Sequence, residues 1–150
     1  MTAQTAGPMR IFIDPGFVDH AVESGFDGAS PFALAHLPVP PSEKTAFLRE
    51  GMYGWLRRNP LFESVADAET ADAVFMPFNL GKVRAERPDI ERHYRAVAEN
   101  SARPLLIDYF GDATEDVPGD NIIVLRTSKY RDRVRPNEII CPPVVEDIGA

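Results

Sequence analysis

The sequence predicts an α/β domain built on a mostly parallel sheet, and three observations carry that expectation. Short runs rich in Ile, Val, Leu and Phe recur with little polar alternation, as in strands covered on both faces. Segments with apolar residues at helical spacing lie between them. Most runs end in Gly, Pro, Asn or Asp, so strand, turn and helix alternate along the chain.

Met9-Arg10-Ile11-Phe12-Ile13-Asp14 reads as the first strand, broken by Asp14-Pro15-Gly16. From Phe17 to Pro41 no period persists. This is a long loop with room for one short helix, of the kind that often carries function. Ser42 caps a helix running to about Arg58, with Leu48, Met52, Trp55 and Leu56 on one side and Asn59-Pro60 as its stop. Residues 73–78 form a second strand. Pro88 suits the first position of another helix, whose buried stripe is Ile90, Tyr94, Val97 and Ala98.

Residues 105–109, 121–125 and 138–141 supply three more strands. The link between Tyr109 and Asn121 is short and broken by Gly111, Pro118 and Gly119, which argues against a helix there. Residues 1–8 read as a flexible leader, 9–145 as one domain and 146–150 as the start of an interdomain linker. No internal repeat or low-complexity tract interrupts this plan.

At 150 residues the chain suits one domain that buries roughly two thirds of its unfolded surface. Its 44% hydrophobic and 26% charged residues are ordinary for a globular protein. The net charge of -7 opposes non-specific attraction to nucleic acid or an anionic membrane. A single cysteine, Cys141, excludes an intrachain disulfide and fits a reducing compartment. No apolar stretch approaches the length of a membrane span, and the first ten residues lack the features of a secretory signal. A cytoplasmic location is the expectation.

Ligands of open α/β sheets gather beyond the carboxyl ends of the strands. Those ends carry Asp14-Pro15-Gly16, Phe78-Asn79, Tyr109-Phe110-Gly111-Asp112 and Arg126-Thr127-Ser128-Lys129. Carboxylates, hydroxyls, an amide, aromatic rings and cations on one rim suit a saccharide, which presents hydroxyls beside apolar C–H faces. The same mixture would line many such rims. Asp112 and Asp14, at strand ends, are placed to accept a proton from a hydroxyl, with turn capping as the competing role. Asp108 lies inside a strand, where a hydrogen bond to a neighbouring loop is favoured over catalysis.

Lys129, Arg131, Arg133 and Arg135 read as a solvated loop more readily than as a phosphate site. His20, His36 and His93 stand at no metal-ligand spacing, so no metal site is inferred. His93 is expected to edge the core or to meet Asp89. Neither a Gly-x-Gly-x-x-Gly turn nor a Gly-x-Ser-x-Gly elbow is present. Cys141, in an apolar strand before Pro142-Pro143, reads as an inert buried thiol.

Two blocks resemble the exostosin-like glycosyltransferases, glycosyltransferase family 47. Thr70-Ala71-Asp72-Ala73-Val74-Phe75-Met76-Pro77-Phe78 is similar to the family's A-D-x-F-x-V-P-F strand, with Met76 where valine is usual. Residues 104–112, then Arg126-Thr127-Ser128, Asn137-Glu138, Pro142 and Glu146-Asp147, are similar to the R-T-S-x-Y, N-E-x-x-x-P and E-D segment of bacterial-type members. The first block runs from Phe62 to Phe78 and the second from Pro104 to Asp112 and on from Ile122 to Asp147, in the family's order.

The resemblance implies the N-terminal, acceptor-side half of a GT-B enzyme, a Rossmann-like three-layer domain. A nucleotide-sugar donor would bind a C-terminal domain or a separate partner chain. Transfer to a glycan acceptor would be inverting and independent of metal, and this half alone would be inactive. No matched motif fixes the catalytic base; Asp112 is the candidate by position. Asp14, Gly16, Phe78, Asn79, Tyr109, Gly111, Arg126, Thr127 and Ser128 are the candidate substrate contacts. The rival reading is a free-standing Rossmann-like binding or regulatory module without catalysis.

Overall fold

The strands form where the sequence is most apolar. A computed structural model describes residues 7–26, 28, 30, 62–110, 115–126 and 134–140. Its strands are β1 (Met9–Phe12), β2 (Phe62–Val65), β3 (Ala73–Asn79), β4 (Leu105–Tyr109), β5 (Ile122–Arg126) and β6 (Glu138–Ile140). Among the described residues the helices are α1 (Pro15–Glu23), α2 (Leu80–Glu86) and α3 (Pro88–Ser101), with a 3-10 turn at Ala68–Thr70. The six strands pair in the order β2-β1-β3-β4-β5-β6, every pair parallel. The domain is α/β and Rossmann-like, as expected.

Every residue of β4 is buried, and every residue of β3 except Asn79. Strands sandwiched on both faces have no reason to alternate. The edge strand β2 instead exposes Glu63 and Ser64, the polar character that discourages further strand pairing. The core centres on Ile11, Phe75, Met76, Ile90, Ile107 and Val124, all fully buried.

In α3, Pro88 occupies the first turn and Ile90, Tyr94 and Ala98 are buried, with Val97 partly so. The helix ends at Ala102, whose φ of 53° is left-handed. The N–H of Arg103 donates back to the Ala98 carbonyl at 3.0 Å and closes the turn.

Two elements lie outside the sequence-based plan, α2 and β2, and the short helix allowed for after the first strand begins earlier than expected. Helix α1 starts inside the turn that ends β1: Pro15 has the fixed φ of a first helical residue, and Asp14 Oδ1 accepts the Phe17 N–H at 3.3 Å. Helix α2 is capped by Asn79, whose Oδ1 accepts the Lys82 N–H at 3.3 Å, and it buries Leu80 and Val83. Strand β2 is four residues, two of them polar, and carries no periodic signal. The helix expected over residues 42–58 lies outside the described residues.

The order of strands reverses between β1 and β3, and such a switch point is where open sheets form their crevice. The β1–β3 ladder is short, ending at the Phe12–Val74 pair. Pro77 therefore lacks an N–H only where β1 has already left the sheet. In its place, the Ser30 N–H donates to the Pro77 carbonyl and the Asn79 N–H donates to the Gly28 carbonyl, each at 2.8 Å. On the other side, the β3–β4 register jumps from Met76–Ile107 to Asn79–Asp108, so Pro77-Phe78 form a bulge. Bulges re-aim side chains at strand ends.

Candidate functional site

Among the described residues, the carboxyl rim is formed by the ends of β1, β3, β4 and β5. At the switch point, Asp14 divides its two oxygens. Oδ1 caps α1, while Oδ2 meets His93 Nε2 at 2.9 Å across 79 residues of sequence. A carboxylate only accepts, so Nε2 carries a proton, and in the neutral ring Nδ1 holds the lone pair. Phe17 stacks on the imidazole with centroids 4.1 Å apart and planes within 5°. Tyr94 packs edge-on against the same pair, and its hydroxyl donates to the Asp14 carbonyl at 3.5 Å. About a third of the Asp14 and His93 side chains stays exposed, 29% and 30%.

Asp108 sits one step inward. It is fully buried and hydrogen-bonded to the Ser30 hydroxyl, the loop contact expected from the sequence. Its other oxygen, Oδ1, has no hydrogen-bond partner among the described residues. Burial pushes this carboxyl up to about 7, against the opposing pull of the Ser30 bond.

Beyond β4 and β5 the rim is occupied by a packed polar network. Arg126 Nε donates to Glu138 Oε1 at 2.8 Å, and Nη2 donates to the Glu115 carbonyl. The guanidinium lies 4.6 Å from the centre of the Tyr109 ring. Tyr109 in turn donates its hydroxyl to Glu115, and burial together with that bond pushes the phenol up. Glu138 Oε2 accepts the Arg135 N–H at 2.8 Å.

This network changes the meaning of several expected contacts. Arg126 is completely enclosed, and the neighbouring strand supplies a carboxylate from Glu138, which stands opposite Val124 in the ladder; the side chain meets its framework and not solvent. Phe78 is likewise fully buried, its ring 5.4 Å from that of Phe26. Tyr109 is buried beneath the guanidinium. Asn79 commits its amide to capping α2 and, through Nδ2, to the Phe110 carbonyl at 3.1 Å. Gly16 is exposed beside Asp14, so Asp14 and Gly16 remain the open members of the expected set. Gly111, Asp112, Thr127 and Ser128 lie outside the described residues.

His93 is the functional candidate that the sequence misassigned. Asp89 pairs instead with Arg87 at 2.8 Å, leaving His93 to Asp14. Nothing local could have signalled this, since the partner stands on the first strand's end. Glu138 had a visible signal, an acid opening an apolar strand, as Arg126 closes one. Among the described residues, no three metal-ligating side chains converge, and no helix is long and apolar enough to cross a membrane. Comparison with family models, with curated proteins and with solved structures returns no match.

Proposed function

We propose that this domain is the acceptor-side half of an exostosin-like inverting glycosyltransferase and holds a glycan hydroxyl at its switch-point rim. The nucleotide-sugar donor binds a second lobe or a partner chain. The observation that carries this reading is the state of the first β–α turn. In dinucleotide-binding sheets that turn is glycine-rich and leaves the helix N-terminus open to a pyrophosphate. Here the Asp14 carboxylate fills the position, bonding the Phe17 N–H and repelling a second anion. A neutral, hydroxyl-bearing ligand suits the exposed carboxylate, imidazole and ring far better than a phosphate does.

Two further features fit. The family-like strand is β3, at the switch point, and its Pro77-Phe78 pair makes the bulge. Val134, Ile139 and Ile140 expose apolar surface around β6, at 37%, 52% and 41%, a face that a second lobe would cover. In this scheme Asp112 remains the positional candidate for the base.

The test is a nuclear magnetic resonance titration of the chain with neutral tetrasaccharides and, separately, with nucleoside-diphosphate sugars. Weak saccharide binding, on the order of millimolar, is expected, with amide shifts at Asp14, Gly16 and Phe17. Nucleotide-sugar binding at micromolar or tighter by this chain alone would overturn the reading.

A further inference from the structure

Resting on that reading, we infer that the Asp14–His93 pair is the hydroxyl-recognising element of the acceptor site, with His93 Nδ1 as the atom that receives the sugar O–H. The argument begins with the tautomer. Asp14 Oδ2 at 2.9 Å holds a proton on Nε2, which in the neutral ring leaves Nδ1 as an acceptor. The ring cannot readily turn to offer a different nitrogen. Phe17 covers it with its plane nearly parallel at 4.1 Å, and Tyr94 abuts its edge. In its neutral form, an imidazole whose Nε2 proton is held by a carboxylate presents one lone pair at a partly open surface, and that discriminates chemically. It accepts from a hydroxyl, offers nothing to a phosphate, and stands beside a carboxylate that repels one.

A purely structural pair would serve only to tie α1 to α3. The Oδ1 bond to Phe17 already caps α1, and the Tyr94 hydroxyl already ties α3 to the Asp14 carbonyl. The second Asp14 oxygen and the imidazole are surplus to that task, and they are the groups left with about 30% exposure. The ligand class that fits is a neutral oligosaccharide carrying a free hydroxyl, not a phosphorylated or otherwise anionic sugar.

The experiment records imidazole nitrogen spectra of the full chain, free and with neutral cello- and chito-tetraose. The expected result is an Nε2–H tautomer in the free protein and a shift of Nδ1 on saccharide addition. His93→Phe keeps a ring to stack on Phe17 and removes both nitrogens; it should stay folded and bind the saccharide roughly five- to tenfold more weakly. Asp14→Asn keeps an oxygen for the Phe17 N–H and should mix the tautomers. An Nδ1–H tautomer in the free chain overturns the inference. So does saccharide binding that leaves Nδ1 unmoved and the His93→Phe affinity unchanged, although the acceptor-side reading then survives. Absence of any saccharide binding overturns both.

Discussion

Asp108→Asn is the substitution whose consequence can be worked furthest. The wild-type carboxyl is fully buried, bonded on one oxygen by Ser30 and without a partner for the other among the described residues, and it titrates at about 7 in the folded chain against 3.8 as its ordinary value. Between those two values the folded protein keeps a proton that the unfolded chain has released. Stability therefore falls as pH rises across that window, by about 1.4 kcal/mol per pH unit for one proton, and levels off above the folded value. From about pH 5 to about pH 8 the loss amounts to about 3 kcal/mol. Asparagine keeps the shape and an acceptor for the Ser30 hydroxyl, and it never ionises.

Urea unfolding of both proteins across that range measures the difference. Near pH 5 they should agree to within about 1 kcal/mol, while near pH 8 Asp108→Asn should be the more stable by about 2–4 kcal/mol. The carboxylates of Asp72 and Asp89 lie below their usual range through bonds to Arg10 and Arg87. Glu91 is also lowered: burial pushes it up, but Arg84 and Arg95 outweigh that. These three contribute stability that is lost only as pH falls through the acid range, so they do not enter this window. A wild-type profile flat between pH 5 and 8, or a variant that tracks it in parallel, would refute the reasoning.

Three other substitutions probe the frame. Glu138→Ala removes the Glu138 carboxylate from the enclosed Arg126 guanidinium and should cost about 3–5 kcal/mol in urea unfolding, whereas Arg126→Met combined with Glu138→Leu should fall within about 2 kcal/mol of wild type. Equal losses in the single and double variants would show that packing, not the lost ion pair, sets the cost. Ala102→Gly relieves a left-handed alanine at the end of α3 and should raise stability by about 1 kcal/mol, seen as a higher thermal midpoint. Asn79→Ala removes the cap of α2 and should cost about 1 kcal/mol; a neutral result would mean that Leu80 and Val83 alone hold the helix.

Much of the sheet was legible because its strands announce themselves by composition. Residues 105–109 contain four apolar side chains and one acid, and they are β4 to the residue. The α3 stripe of Ile90, Tyr94 and Ala98 was equally plain, since a helix against a sheet must bury one side. The missed helix α2 and the unexpected start of α1 share a cause. Helices α1 and α2 are nine and seven residues long, too short for a period to stand out, and both are set by a capping side chain on the preceding strand end. Strand β2 gains its order by pairing with β1, which is a property of the partner.

The candidate site was legible only in outline. Strand ends named the rim, but the same list held residues that face inward and residues that face out. Phe78 and Arg126 look like ligand contacts in sequence; the bulge after Met76 and the neighbouring Glu138 make them framework. His93 looked like a helix residue near the core until Asp14 was brought to it.

The sequence by itself determined the layered α/β character, the positions of five strands and the chemistry available at their carboxyl ends, because burial and turn preferences act on neighbouring residues. Tertiary structure alone decided which charge meets which: Asp14 with His93, Ser30 with Asp108, Arg126 with Glu138. Those pairings join separate strands, helices and loops. Their geometry follows from the parallel strand order, which no local spacing encodes.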